Sequence, residues 1–509
     1  MTFPSALNEL PLGTQATLKL ISDFDECFLT GFANLDNQHQ QTLNSLQRIF
    51  TGTPLEQHLT DSCAAIERNE FVERHFAVLA TVRAALCGSL FDTLQQQARS
   101  VLGRTEVSEV ITQIEASQVP NHIQVWLESV RHWLMEIALV GYSRLEPSTL
   151  VPFLPTLEQI QQEPLLMRQA ALLTGFFNEL ISFVPVADSH TIPTYRWVDL
   201  WTRGMIGALR PTPPENPKIV SGTLELLGID LRHHANLVSF TAYGLLTHEV
   251  GVQQVRLTLS AFKVDAISGD EIWLLFPEAT SLLDAFTENN ALELSDIPLL
   301  PTGDLLWQGN GKIGGKYNML KKAAEYFSVN APKTSLPCHV NPGDRHPVQL
   351  AELVFLSDYT IQQDNVTVSL SWQDGGVLAI CADSSRVASL FSCPFAFAKQ
   401  SQPKVRKRLV RGASPTGEEK GCTQLRFAIA TEHITPQSEL TLEAIASSCE
   451  LFGLLRFDRG SWAVQPLVIK VGSKIIFTGQ KAAKILNNPP KTSTVSILQE
   501  RASRLLRSK

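Results

Sequence analysis

The hydrophobic period of this chain changes once, and the change falls on a cluster of prolines. Residues 210–217 hold Pro211, Pro213, Pro214 and Pro217, so no helix can run through them and the stretch reads as a stiff extended linker. Before it, apolar residues recur every three or four positions and β-branched runs are scarce, the pattern of amphipathic helices. After it the period is two, the pattern of strands with one buried face.

Upstream of the linker, helices are predicted at about 55–103, 105–118, 121–143, 155–183 and 194–209, separated by Pro120, the three prolines of 146–155 and the segment 184–193. In 55–103, Phe71, His75, Phe76, Leu79, Val82, Ala85 and Leu86 form the apolar stripe, and Glu67, Glu70, Arg74 and Arg83 fall off it. Helices of this length joined by short breaks imply a bundle or an irregular solenoid. No fixed repeat period is evident, which favours the bundle. Trp197, Trp201 and Met205, at i, i+4 and i+8, read as helix core.

Downstream, strands are predicted at 219–227, 237–243 and 255–264, and Ser268, Gly269 and Asp270 read as a hairpin turn into a strand at 271–276. Helical inserts at 279–291 and 317–328 interrupt the pattern. It resumes at 351–356, 366–372 and 377–380, with Asp374 and Gly375 as a turn. A polar, basic stretch at 399–421 reads as an exposed mobile loop and a second boundary. Beyond it come a strand at 424–430, a helix at 437–450, strands flanking 458–460 and at 466–477, and helices at 480–486 and 497–508. The fold class expected is α+β and multidomain: a helical domain 1–209, the linker 210–217, an antiparallel β-rich domain 218–398 with helical inserts, the basic loop 399–421, and a small basic α/β domain 422–509 with a basic terminal helix.

Charge follows the same division. The net charge of −7 is made of +10 in residues 402–509 and −17 in residues 1–401. The basic groups cluster as Lys404, Arg406, Lys407, Arg408 and Arg411, then as Arg501, Arg504, Arg507 and Lys509. Mobile cations of this kind either form a solvated surface partly neutralised by the chain's own acidic body or suit an acidic protein partner or the phosphates of nucleic acid. No aromatic residue interleaves either cluster, which argues against base stacking on a single strand. Eight cysteines without a C-x-x-C pair imply reduced, mostly buried thiols. Mean hydropathy is +0.01 and no apolar run reaches about 18 residues. The first residues lack the basic and apolar regions of a secretory signal, so a cytoplasmic location without membrane attachment is expected.

Four constellations invite a chemical reading. Gly309, Gly311 and Gly314 match G-x-G-x-x-G, with Lys312, Gly315 and Lys316 beside them and a helix predicted next, an arrangement able to hold a phosphate. The spacing departs from a P-loop, Tyr317 stands where a magnesium-binding hydroxyl is required, and the surroundings read as antiparallel rather than βαβ, so this is expected to be a surface loop. Asp230, His233, His234 and His248 lie within nineteen residues, but adjacent histidines in a strand face opposite ways. Cys338, His339 and His346 lack a second nearby cysteine. No metal and no cofactor is therefore expected. Glu418 and Glu419 read as a solvated pair, and neither G-x-S-x-G nor H-E-x-x-H occurs, so no catalytic residue is assigned.

Two segments, Arg196 to Arg203 and Leu451 to Trp462 with Gln465, Pro466 and Leu467, resemble parts of uncharacterised bacterial proteins that accompany SWIM zinc-finger proteins and MoxR-type AAA+ ATPases. The resemblance implies a place in a multiprotein, ATPase-linked system and carries over no functional residue. The function expected is that of a non-enzymatic interaction or adaptor component. The rivals are nucleic-acid binding through the basic C-terminal region and a nucleotide-dependent enzyme using 309–316.

Overall fold

The computed structural model describes residues 5–104, 119–209, 216–233, 237–264, 266–309, 311–328, 335–336, 340, 342–357, 359–363, 367–372, 376–381, 425–429, 438–458, 460–490 and 493–498. The N-terminal region is helical: α1 (Ser5–Asn8), α2 (Thr14–Thr30), α3 (Asn37–Ile49), α4 (Glu56–Glu67), α5 (Glu73–Val101), α6 (Asn121–Val140), α7 (Pro147–Leu150), α8 (Leu154–Ile160), α9 (Met167–Phe183) and α10 (Thr194–Leu209). The single helical stretch expected at 55–103 is two helices, because Asn69 takes a left-handed conformation with φ 59° and breaks the run. The helix expected at 105–118 lies outside the described residues. Trp197, Trp201 and Met205 are fully buried, and Trp201 Nε1 donates to Leu134 O at 2.8 Å. One expectation is overturned on α5. Ala85 is exposed and Arg83 is buried to 1%, since Arg83 follows Leu79 by four residues and precedes Leu86 by three, on the packed face. That 29-residue helix is long and apolar enough to cross a membrane, yet it is packed inside the helical core.

The helices also hold a duplication that a period search misses. α2 ends at Gly31 (φ 87°, ψ 140°), followed by a 3₁₀ turn Phe32–Asn34, Leu35 and Asp36. α6 ends at Gly141 (φ 85°, ψ 145°), followed by Tyr142–Arg144, Leu145 and Glu146. The two corners face each other. A Cβ on Gly31 would stand 2.5 Å from Leu139 O, and one on Gly141 would stand 2.5 Å from Gly31 N. Ser143 Oγ donates across the contact to Leu29 O at 2.6 Å.

Past the linker, β1 (Lys218–His233), β2 (Leu237–His248) and β3 (Gly251–Phe262) form an antiparallel meander. Then come α11 (Thr280–Thr287), β4 (Asn290–Leu299), β5 (Lys312–Lys316), α12 (Met319–Phe327) and β6 (Ser335–Leu336), giving a sheet of order β5-β4-β1-β2-β3-β6. The strand expected at 271–276 is instead a 3₁₀ helix, Gly269–Leu275. Its run of apolar residues has no period to distinguish the two states, and burial of Ile272 and Trp273 against Phe240 decides.

The second sheet comprises β7 (Ala351–Ser357), β8 (Tyr359–Gln363), β9 (Thr367–Trp372), β10 (Gly376–Cys381) and β11 (Leu425–Ile429). After α13 (Leu442–Ala446) it gains β12 (Glu450–Asp458), β13 (Ser461–Val471) and β14 (Lys474–Phe477), and α14 (Ala482–Asn487) follows. Its order is β7-β12-β13-β11-β10-β9-β8, with β14 on β13. The antiparallel expectation holds for most pairs, but β10 with β11 and β11 with β13 run parallel. The pairing of β10 with β11 also joins the segments on either side of 399–421 in one sheet.

Strands β7, β12 and β13 of this second sheet are covered on both faces. Val354, Leu356, Leu455, Trp462 and Val464 belong to the core shared with the helices. Leu353, Phe355, Phe452, Leu454 and Leu467 belong to the core shared with the first sheet. That explains apolar runs such as Leu353 to Leu356, which a half-solvated strand would not carry.

Candidate anion-binding cleft

Strict alternation in β1, β2 and β3 sorts their residues into two faces. Ile229 and Leu231, Val238, Phe240 and Ala242, and Val255 and Leu257 fill the core. The other face carries Asp230 and Arg232, Thr241 and Tyr243, and Gln254, Arg256 and Thr258, held level by the pairings Asp230 with Thr241, Thr241 with Thr258, and Tyr243 with Arg256. Water would ordinarily cover such a face. Here the helical region roofs it, with Arg99 of α5, Arg168 of α9 and Arg203 of α10, and the second sheet closes one side with Glu352 and Arg456. The cleft between them has a volume of about 830 Å³, within the range of small-molecule sites.

Arginine and carboxylate dominate this lining, and their ratio is uneven. Six arginines meet four carboxylates. Asp230 accepts from Arg232 Nε at 2.8 Å and lies 3.9 Å from Arg456. Glu352 accepts from Arg99 at 2.9 Å and from Arg104 at 2.7 Å. Asp344 pairs with Arg203 at 2.9 Å and with Arg168. Each of the three carboxylates is thus shared by two guanidinium groups, and Asp304 pairs with Arg256 at 2.9 Å.

Burial works against the Asp230 charge, but Arg232, Arg456 and a hydrogen bond from Gln465 at 2.7 Å hold its carboxyl below the usual range. Burial and the nearby Arg232 push Arg456 down to about 10, still a cation at neutral pH. The Tyr243 hydroxyl sits in the field of Asp230, Arg232, Arg456 and Arg256 and is pushed up to about 12, chiefly by burial. It is a neutral donor. Among the described residues the lining holds no histidine, cysteine or lysine; its arginines and the neutral Tyr243 hydroxyl are groups that can hold an oxyanion.

The residues singled out from sequence lie elsewhere. Residues 312–316 are not a surface loop but the edge strand β5, paired Glu293 with Lys312 and Asn290 with Lys316. A Cβ on Gly314 would meet Glu293 Oε1 at 2.9 Å, a contact that the flexible carboxylate arm can relieve. Gly309 (φ 79°) and Gly311 precede the strand, and Gly315 within it faces open space. The Asn318 side chain caps α12, accepting from Lys321 N at 2.9 Å, so the helix terminus that a phosphate would use is already satisfied. Lys312 and Lys316 are exposed, and replacing both by Ala should change unfolding free energy by less than about 0.5 kcal/mol. Nucleotide-dependent stabilisation of the chain that disappears in the same double variant would instead restore the nucleotide site.

His233 pairs with Val238 at one end of β2 and His248 with Gly251 at the other, so the two do not converge with Asp230. Among the described residues no group of three metal-ligating side chains occurs. His346 is buried, lies 2.9 Å by Nδ1 from the Tyr195 hydroxyl and accepts from Val348 N at 3.2 Å. Burial and the nearby Arg83 lower its pKa well below the usual range. His234, Cys338, His339, Glu418 and Glu419 lie outside the described residues, as do Lys404, Arg406, Lys407, Arg408, Arg411, Arg501, Arg504, Arg507 and Lys509. Sequence reading passed over the cleft arginines, although Arg203, Arg456 and Gln465 fall within the segments that carry the resemblance. No protein-family model matches the chain, and no curated protein matches it.

Proposed function

We propose that the chain is a non-enzymatic interaction component, an adaptor within a multiprotein assembly, and that it grips an anionic group of its partner in the cleft. The observation that carries this reading is a polar sheet face roofed by a second unit, where three carboxylates are each shared by two arginines. An excess of fixed cations beside neutral donors binds an anion by charge-assisted hydrogen bonds. The +10 of residues 402–509 supports a second contact, in which a small basic C-terminal unit meets an acidic protein surface. A cytoplasmic, ATPase-linked setting with a AAA+ partner is the form of this proposal that the resemblance suggests.

The test compares affinity-purified complexes of the full chain with those of an Arg232→Gln/Arg256→Gln variant and of a deletion of 494–509. The cleft variant should lose at least tenfold of its specific partner; its melting temperature is expected to fall as well, because Arg232 is a counter-ion of the buried Asp230, so capture is compared at a temperature at which both proteins are folded. Partners retained in full by the cleft variant would overturn the cleft's role. Salt-sensitive DNA or RNA binding lost only in the deletion would favour the nucleic-acid reading instead.

A further inference from the structure

The cleft's charge balance bears on what it binds, and the following inference rests on the proposed anion-gripping role. We propose that the cleft is a receptor for a single phosphate monoester, presented on a phosphorylated side chain of the partner.

Six arginines and four carboxylates line the cleft; Asp199 also takes Arg203 at 2.9 Å, Arg104 takes Glu352, and Asp458 lies in the field of Arg232 and Arg456, so the cluster as a whole stays cationic by one charge. A phosphate monoester carries about −1.5 to −2 at neutral pH and offers three acceptor oxygens where a carboxylate offers two, so it takes more of the donors gathered here, whereas a polyphosphate would add charge that Asp230 and Asp304 repel. The donors fit the same group. Arg232 engages Asp230 through Nε and keeps 42% of its side chain accessible, so its Nη groups can take two oxygens at once. The Tyr243 hydroxyl has no hydrogen-bond partner among the described residues, and burial keeps it protonated. Thr241 and Thr258 lie Oγ1 to Oγ1 at 2.9 Å; one donates to the other, and the second hydrogen remains for a ligand. Phe91, Leu165, Met167 and Leu300 supply an apolar wall for the body that bears the phosphate.

Isothermal titration of the full chain separates the possibilities. The probes are a phosphoserine heptapeptide, its unphosphorylated form, phenyl phosphate, and phenyl sulfate as a singly charged isostere. The phosphopeptide should bind at least tenfold tighter than the unphosphorylated peptide, and phenyl phosphate at least tenfold tighter than phenyl sulfate. Arg232→Gln should abolish that preference. Tyr243→Phe, which removes only a hydroxyl and leaves the fold intact, should weaken phosphate binding by threefold or more. Phosphopeptide tighter than phenyl phosphate supports the partner source, and the reverse order overturns it in favour of a small phosphorylated molecule. Equal binding of phenyl sulfate and phenyl phosphate would overturn the phosphate assignment while leaving the anion cleft standing. Binding unaffected by both substitutions, or no binding of any anion, would overturn the cleft reading itself.

Discussion

Gly31→Ala is expected to destabilise the chain by more than about 3 kcal/mol, and Gly141→Ala by a similar amount. Two costs combine at each position. The backbone sits at φ 87° and 85°, where a Cβ is strained by about 1–3 kcal/mol. The added methyl would also press on main chain: 2.5 Å from Leu139 O in one case and 2.5 Å from Gly31 N in the other. A side chain could rotate away from such a contact, but helix α6 and the end of α2 can yield only by separating, which would open the centre of the helical core. Gly88, mid-helix in α5 with nothing within 4 Å of its Cβ position, is the control. Gly88→Ala should stabilise by about 0.5–1 kcal/mol through helix propensity alone. Urea denaturation of the three variants measures all of this, and a Gly31→Ala midpoint close to wild type would refute the interlocked corners.

The contrast between what the sequence displays and what it conceals follows from range. The helical-to-strand switch at 210–217, the β1–β2–β3 meander, α12 and the buried Trp197, Trp201 and Met205 depend on neighbours a few residues apart, and periodicity records them. The duplicated corner rests on only five matched positions, Leu29, Gly31, Phe32, Leu35 and Asp36 with Leu139, Gly141, Tyr142, Leu145 and Glu146, too few to register as a repeat. β5 reads as a loop because Lys-Ile-Gly-Gly-Lys has no alternation, and its strand conformation comes from β4. The cleft is the least visible feature. Asp230, Arg232, Tyr243 and Arg256 stand at the polar positions of alternating strands, which in a single sequence mean a solvated face. The groups that roof them, Arg99, Arg168 and Arg203, come from a helical region that periodicity marks as separate. Arg83 is a different case. Its place four residues after Leu79 was readable, but a charged residue on an apolar stripe gains a meaning only once Asp25 is known to face it.

Arg83→Met should cost about 4 kcal/mol, the scale of breaking a buried ion pair from one side. Arg83 is exposed by 1% and holds Asp25 with a fork at 2.7 and 2.9 Å, while its Nη1 faces Asp199 at 3.6 Å and its guanidinium lies over the Tyr195 ring at 5.4 Å. Methionine fills much of the same volume but leaves the Asp25 carboxyl buried without a counter-ion. A double variant, Asp25→Leu with Arg83→Met, removes both charges and should recover most of the loss, because desolvating the pair offsets much of its attraction. The pH dependence has a definite sign. Burial, outweighing Arg83, already pushes Asp25 up to about 6 from its ordinary 3.8. A carboxyl raised in the folded state adds stability that is fully present below its unfolded value and is lost as pH climbs through the folded one. Without Arg83 the folded value rises further, so the extra cost of the single variant should grow from pH 5 to pH 8, whereas the double variant has no Asp25 carboxyl to titrate and its cost relative to wild type should shrink as the wild type loses that contribution. Chemical denaturation at the two pH values reads both effects. Equal losses in the single and double variants would show that the guanidinium matters for its packing and not for its charge.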